Sequence, residues 1–373
     1  MADWVVGIDL GATKIALGLV SPDNEIVARR RILTEAAAGP EQAVERMVAS
    51  IAELQGALPA GQATSAVGIC SPGPIDHEAG LIVDPPNLTG WRNVPLQQML
   101  AGRLDLPVRL EHDAKAAALG EYHYGAGQGE RSMVYIVAGT GVGAAIIIDG
   151  QLYRGMHNFA GEVGHITIDR DGEPCGSGVR GCVQGYLCGP ALAANYRQLQ
   201  AARGLPQTND ITGEQVAQRA GAGEALARQV LTQAGEALGI TVASLAMILD
   251  IELFVIGGSV VKAGELLLAP ARDIVPYYCF ESVAAKTRIE AVALGDDTQG
   301  VAALDDVSSP GPIGRKPGAL RCGPAKMLVD AIGDGHRYFT PMLRVVQIAF
   351  VLGVADEPHF DQDARHIGRS QHD

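Results

Sequence analysis

The chain predicts a two-domain α/β protein, and three observations carry that expectation. An apolar run, Trp4-Val5-Val6, leads into the Gly/Thr turn Gly7-Ile8-Asp9-Leu10-Gly11-Ala12-Thr13-Lys14. A second run, Met133-Val134-Tyr135-Ile136-Val137, leads into Ala138-Gly139-Thr140-Gly141-Val142-Gly143. At 373 residues the chain is long for a single core, so about two domains are expected. Each Gly/Thr turn lies between two apolar strands. Glycine lets the backbone approach a ligand, and successive N–H groups in a tight turn cradle anions. Asp9 adds a carboxylate suited to a magnesium-bound phosphate. Two such hairpins facing across a cleft would clamp a nucleotide triphosphate.

Residues 4–34 predict a β-meander with strands over 4–9, 15–20 and 26–33 and a turn at Ser21-Pro22-Asp23-Asn24. Ala43, Val44, Met47, Val48, Ile51 and Leu54 recur at helical spacing, so a helix runs over 42–58, with Pro40-Glu41 at its start. A buried strand, 66–70, ends at Ser71-Pro72-Gly73-Pro74. A helix over 94–104, a strand over 108–110 and an Ala-rich helix over 113–124 follow. Strands over 133–155 surround the second glycine turn. The stretch 161–189 is irregular and rich in Gly and Cys. A long Ala/Leu-striped helix over 215–248 is expected to break near Gly239. Two further strands are 253–256, ending in Gly257-Gly258-Ser259, and 288–294. Beyond Gly300 the character changes: 308–318 reads as linker, then comes a mixed apolar segment and a His- and Asp-rich end. The expected division is 1–112, 113–304 and an atypical, poorly ordered tail, 305–373. The pair of phosphate hairpins suggests a duplicated half-fold.

The net charge of −13 argues against a nucleic-acid binder, which needs basic patches. It leaves ATP binding open, since magnesium and backbone amides hold phosphates. No run of about 18 uninterrupted apolar residues predicts a membrane span, and the N-terminus lacks a signal-peptide layout. A cytoplasmic enzyme is expected. Six cysteines do not suggest a disulfide framework. Cys175, Cys182 and Cys188 cluster, which points toward metal.

Asp113 follows Val108-Arg109-Leu110-Glu111-His112 at a strand-to-helix junction. An N-cap role alone would explain it. However, ligands in α/β folds sit at the carboxyl ends of strands, and a carboxylate there could take a proton from a substrate hydroxyl attacking phosphorus. Lys115, about 200° further round the helix, is expected to point away from Asp113. His165, within Glu162-Val163-Gly164-His165, precedes the three cysteines; imidazole and thiolates at this spacing suit tetrahedral zinc. Asn87, in Asn87-Leu88-Thr89-Gly90-Trp91, reads either as a sugar contact or as a turn residue beside a core Trp91. Gly257 and Gly258 are placed where a backbone could pack on adenine or ribose.

Together these residues resemble the ROK family of sugar kinases and repressors, from about Val5 to about Leu304. The motifs in order are Asp9-Leu10-Gly11-Ala12-Thr13-Lys14, Ser71-Pro72-Gly73-Pro74-Ile75-Asp76, Pro86-Asn87-Leu88-Thr89-Gly90-Trp91 and Glu111-His112-Asp113-Ala114. Then come Ala138–Gly143, Gly161-Glu162-Val163-Gly164-His165, Arg180-Gly181-Cys182 and Val255-Ile256-Gly257-Gly258. The resemblance is strongest to the bacterial glucokinase branch. It implies a ribonuclease-H-like fold of the actin-like ATPase and sugar kinase type, two α/β domains closing on a cleft. It implies ATP with Mg2+, a hexose substrate such as glucose, and a structural Zn2+. Asp113 becomes the base for the sugar 6-hydroxyl. Asn87, Glu162 and His165 become sugar contacts, with His165 also a zinc ligand. Asp9, Gly11, Thr13, Lys14, Gly139, Thr140 and Gly141 line phosphates and magnesium, and Gly257 and Gly258 lie near adenosine. A homodimer or homotetramer is implied as well.

Three departures from the family pattern stand out. Ser177 replaces a zinc thiolate, and Cys188 is the candidate to substitute for it. Gln184 replaces a sugar-binding Glu, which predicts altered recognition of the hexose. After Gly295-Asp296-Asp297 the closing Gly-Ala-Ala helix is shortened and about 70 unrelated residues follow. Competing expectations are a kinase for N-acetylmannosamine, fructose or another hexose, polyphosphate as donor, and a non-catalytic sugar binder. A repressor of the family would carry a helix-turn-helix before the first phosphate loop. That loop begins by residue 7, so the expectation is that none is present.

Overall fold

The computed structural model describes residues 4–23 and 25–294; the expected tail over 305–373 lies outside them. The chain opens with a three-stranded antiparallel ribbon, β1 (Trp4–Leu10), β2 (Lys14–Val20) and β3 (Ile26–Leu33). α1 (Pro40–Gln55) begins with proline at its first position, where the missing N–H costs nothing. Its buried face, Ala43, Val44, Met47, Ile51 and Leu54, packs into the first core cluster. Full burial of side chains such as Met47 or Ile51 stabilises by about 1.5–3 kcal/mol each.

β4 (Thr64–Ser71) then pairs in parallel with β1. A small hairpin, β5 (Ile75–Asp76) and β6 (Leu81–Ile82), follows, then α2 (Leu96–Leu104) and β7 (Val108–His112), parallel to β4. The first sheet therefore runs β3-β2-β1-β4-β7. Its outer strand β3 exposes Arg29, Arg30 and Arg31, charges that discourage edge-to-edge pairing.

α3 (Asp113–Tyr124) leads to β8 (Met133–Ala138), β9 (Val142–Ile148) and β10 (Gln151–Tyr153), a second antiparallel ribbon. An irregular stretch precedes the single turn α4 (Gln184–Leu187), then α5 (Gly189–Ala202), α6 (Gly213–Gly221) and α7 (Ala225–Leu249). β11 (Leu253–Gly257), α8 (Glu265–Ile274), α9 (Glu281–Ala284) and β12 (Arg288–Ala291) complete the described residues. β11 lies parallel between β8 and β12, so the second sheet runs β10-β9-β8-β11-β12. The two sheets share one sequence of pairings: two antiparallel, then two parallel. The suggestion of a duplicated half-fold is met in the topology.

The second sheet is covered on both faces. α5 to α8 supply the largest cluster, including Leu192, Val230, Leu238 and Leu267. α3 covers the other side, where Ala116, Ala118 and Leu119 meet Tyr135, Ala145, Ile147 and Val255. Near the end of α3, the buried Glu121 accepts from the N–H groups of Ala126, Ala293 and Leu294 at 2.9, 3.1 and 3.0 Å.

The expected break near Gly239 does not occur. The interruption falls between α6 and α7, after a capping box at Thr212 and Gln215 has set the start of α6. Gly239 sits within unbroken helix because α8 packs directly on it. A Cβ there would come within 2.3 Å of the Ala271 carbonyl, so glycine permits the close approach. α7 is long and apolar enough to cross a membrane by length and composition, but most of its apolar window is buried inside the protein. Its hydrophobicity is that of a core helix.

Candidate active site

Asp9 lies near the carboxyl end of β1, directly opposite Cys70 of β4 in the parallel ladder. The Cys70 thiol donates to Asp9 Oδ1 at 3.4 Å. Burial raises the Asp9 carboxyl to about 7; the Cys70 hydrogen bond opposes this, the Asp113 charge adds to it and Arg31 counteracts it. Asp9 and Asp113 are therefore within electrostatic reach of each other, although 104 positions apart.

Asp113 is the first residue of α3, and its side chain is about half exposed, at 51%. Oδ1 accepts from Ala114 N at 2.6 Å and lies 3.0 Å from His112 Nδ1. The N-cap is His112, whose side chain also accepts from Ala114 N. A capping role thus does not by itself account for Asp113.

His112 and Ala114, on either side of Asp113, line a cleft of about 1240 Å3, while Asp9 and Asp113 themselves are not among its lining residues. Its lining includes Gly73, Pro74 and Ile75 with His77, then His112 and Lys115, and Ala144 with residues 154–162. The first hairpin is closed by Gly11 N donating to Lys14 O at 2.9 Å and by Thr34 Oγ1 donating to Gly11 O at 2.7 Å. In the second hairpin Gly139 N donates to Gly141 O at 2.9 Å. Thr13, Gly139, Thr140 and Gly141 are at least partly exposed around these turns.

The Gly161–His165 segment is shaped by close packing on β9. A Cβ on Gly161 would come within 1.9 Å of the Ala144 carbonyl, and one on Gly164 within 2.2 Å of that of Val142. With the backbone this close, Glu162 is left exposed on the cleft wall, and His165 ends a single 3-10 turn, Val163–His165.

His165, Cys175 and Cys182 form one cluster, with a donor atom of each within 4.8 Å of the others. Ser177 occupies the remaining side: its hydroxyl lies 3.0 Å from His165 Nδ1 and 3.1 Å from Cys175 Sγ. Burial acts to raise the Cys175 thiol, but hydrogen bonds from Cys182, Ser177 and His165 outweigh it and lower the thiol to about 6. Burial and the neighbouring Cys175 move the Cys182 thiol upward. The donor set suits zinc in chemistry, with a hydroxyl where a fourth thiolate would be stronger. Cys188 does not join the cluster. It precedes α5 and is buried in the core of the second half, and burial pushes its thiol up to about 11.

The remaining expected residues have the following surroundings. Gln184 Oε1 accepts from Val142 N at 3.1 Å, so its amide braces the second hairpin. Gly257 and Gly258 are accounted for by the chain's own packing. A Cβ on Gly257 would lie 2.3 Å from the Tyr135 hydroxyl, and one on Gly258, at φ +89, would lie 2.3 Å from the Ala138 carbonyl. Asn87 is half-buried and is not among the residues lining the cleft. Its neighbour Trp91 is the core anchor, 1% exposed, with its indole N–H donating to Ala36 O at 3.2 Å.

The cleft also holds a charged group that the sequence reading passed over. Glu111, 1% exposed, accepts from Arg154 Nη2 at 2.6 Å, and His77 Nδ1 lies 3.5 Å away. Lys115 is buried and donates from Nζ to the Asn158 carbonyl and side chain. Burial lowers the Lys115 ammonium pKa; Glu111 raises it, Arg154 lowers it and Glu162 raises it. The signal lay in Glu111-His112-Asp113-Ala114-Lys115, four ionisable groups in five residues on entry to an otherwise Ala-rich helix.

The ROK family pattern matches residues 5–305. A glucokinase of Thermotoga maritima is 32% identical over 302 residues, covering 79% of this chain and 93% of its own. An N-acetylmannosamine kinase of Salmonella heidelberg is 34% identical over 297 residues, 78% of this chain and 96% of its own. The crystal structure of a ROK family glucokinase from Streptomyces griseus, in complex with glucose and AMPPNP, matches with TM-score 0.64 at 33% identity, over 81% of this chain and 98% of that one. The fold is the two-domain, ribonuclease-H-like fold of the actin-like ATPases and sugar kinases. The chain belongs to the ROK family.

Proposed function

We propose that the chain is an ATP-dependent kinase acting on the 6-hydroxyl of a hexose, with glucose as the leading substrate. The observation that carries this reading is the pair Asp9 and Asp113, brought within electrostatic reach of each other, with the neighbours of Asp113, His112 and Ala114, lining the cleft. Asp113, half exposed and oriented by Ala114 N and His112, takes the proton of the hexose hydroxyl as that oxygen attacks phosphorus. His112 and Glu162 offer donors and acceptors to the sugar ring from the cleft wall. Asn87 and His165 keep only the support of the resemblance as sugar contacts. The hairpins around Thr13 and Lys14, and around Gly139, Thr140 and Gly141, present backbone N–H groups to phosphate oxygens.

A desolvated carboxylate raised to about 7 beside a second one fits a divalent cation. With ATP, Mg2+ supplies charge neutralisation for the transferring phosphoryl group. Asp9 is the residue that would hold it. His165, Cys175 and Cys182, with Ser177 nearby, would hold a structural Zn2+. Closure of the two halves excludes water from the cleft and limits ATP hydrolysis.

A second reading, an N-acetylated hexosamine as substrate, draws on the apolar side chains Met156 and Phe159 in the cleft wall and on the N-acetylmannosamine kinase similarity. A coupled ADP-release assay with glucose, mannose, fructose and N-acetylmannosamine tests both. ADP release that depends on glucose is expected. No hexose phosphate formed from any hexose, with ATP or with polyphosphate as donor, would sink the kinase reading, and ADP release with N-acetylmannosamine alone would replace glucose by the second reading.

A further inference from the structure

Residues 154–162 form one wall of the cleft, yet this wall has little apolar anchoring of its own. Met156 is 92% exposed and Phe159 is 64% exposed. The segment is held instead at two polar shoulders. At one, Arg154 donates to the buried Glu111. At the other is Asn158, a non-glycine residue at φ +62. Asn tolerates this left-handed conformation better than most side chains, at some cost.

Asn158 uses every polar group of its side chain. Oδ1 accepts from Lys115 Nζ at 2.5 Å, and Nδ2 donates to the Ile75 carbonyl at 3.1 Å. Its backbone carbonyl accepts a further bond from Lys115 Nζ at 2.7 Å. Lys115 is only 4% exposed, and an ammonium so buried needs such acceptors. Ile75 follows the Pro74 turn of the first half, Lys115 lies on α3, and Asn158 belongs to the second half. Asn158 therefore ties together three segments at the cleft. Glu162, four residues further on, lies within electrostatic reach of the same ammonium.

We infer that Asn158 is a positioning residue for the sugar. With Lys115 it latches the 154–162 wall across the cleft to Ile75, and so sets where Glu162 stands against the hexose. This inference rests on the hexose kinase reading and concerns the sugar side of the site, away from the glycine hairpins.

Asn158→Gly is the cleanest probe, because glycine keeps the left-handed backbone while removing both side-chain bonds. Steady-state kinetics should show the hexose KM rising about tenfold, the value expected from losing one to two net hydrogen bonds, with the ATP KM within about twofold of wild type. Asn158→Asp keeps an acceptor for Lys115 but loses the donor to Ile75, so its hexose KM should fall between the two. An unchanged hexose KM in Asn158→Gly, or an equal rise in both KM values, would overturn the inference. Amide hydrogen exchange over residues 155–161 gives a readout independent of turnover: exchange should be about tenfold faster in Asn158→Gly, with β9 unchanged. If wild-type protein phosphorylates no hexose, the kinase reading fails, and exchange alone then judges the latch, which falls if the rates match wild type. Should Asn158→Gly fail to fold, Asn158→Asp carries the same two measurements.

Discussion

The two halves of the molecule repeat one strand pairing order, but their hairpins carry different chemistry. In the first, the strand entering the turn carries Asp9 next to its last residue, a carboxylate under pressure from burial and from Asp113. In the second, the matching strand ends in Val137 and Ala138, and the turn is braced by Gln184 on Val142 N. The first half therefore contributes charge, and the second a glycine turn stiffened by a side-chain amide. On the proposed reading, a single topology supplies both an edge for a cation and a neutral cradle for an anion. The difference arises from one position at the end of a strand and from what packs behind the turn.

That division can be broken most severely at Asp113. Asp113→Asn should lower kcat by about 10²–10⁴-fold, the range for a lost general base, while calorimetric hexose affinity stays near wild type. Retained kcat would remove the residue from the chemistry. Asp9→Asn tests the charged hairpin. It should weaken MgATP use by about 10²-fold in kcat/KM, with the hexose KM little changed. The wild-type ATP KM should also rise as pH falls below about 7, because protons compete with the cation for Asp9. A flat profile would contradict the assignment.

The same carboxylate sets a stability prediction for the metal-free protein. Its folded value of about 7 exceeds the ordinary 3.8, so between these values unfolding releases a proton. The stabilisation from the protonated group is complete below about pH 4 and is lost as pH rises through about 7. Thermal melting should record that decline, and Asp9→Asn should remove it. On the neutral hairpin, Gln184→Ala should cost about 1 kcal/mol of stability and raise the ATP KM a few-fold. A change in the hexose KM alone would instead place Gln184 at the sugar. The smallest effect is expected from Ser177→Cys, which should increase zinc retained per chain, measured by elemental analysis, without altering kcat.

Much of this was legible in the sequence because glycine turns after apolar runs mark strand ends, and strand ends are where α/β folds place ligands. Asp9 could be singled out on that ground alone, whereas Asp113 read equally as a helix N-cap until the family resemblance gave it the role of base. The buried group Glu111, Lys115, Arg154 and Asn158 could not, since a charged residue on a one-dimensional string looks solvated until its partner, here about 40 positions away, folds against it. Gly239 misled because a glycine that thins a helix for a neighbour and one that breaks it look the same before the neighbour is in place. Cys188 misled similarly: spacing put it near the other thiols, but the helix it precedes carries it into the core.

Glu121 has a mechanical consequence. By gripping the backbone at Ala293 and Leu294 just past β12, it fastens the rear of α3 to the far edge of the second sheet. Asp113 stands at the front of that same rod. A shift of that edge would be carried along α3 to Asp113.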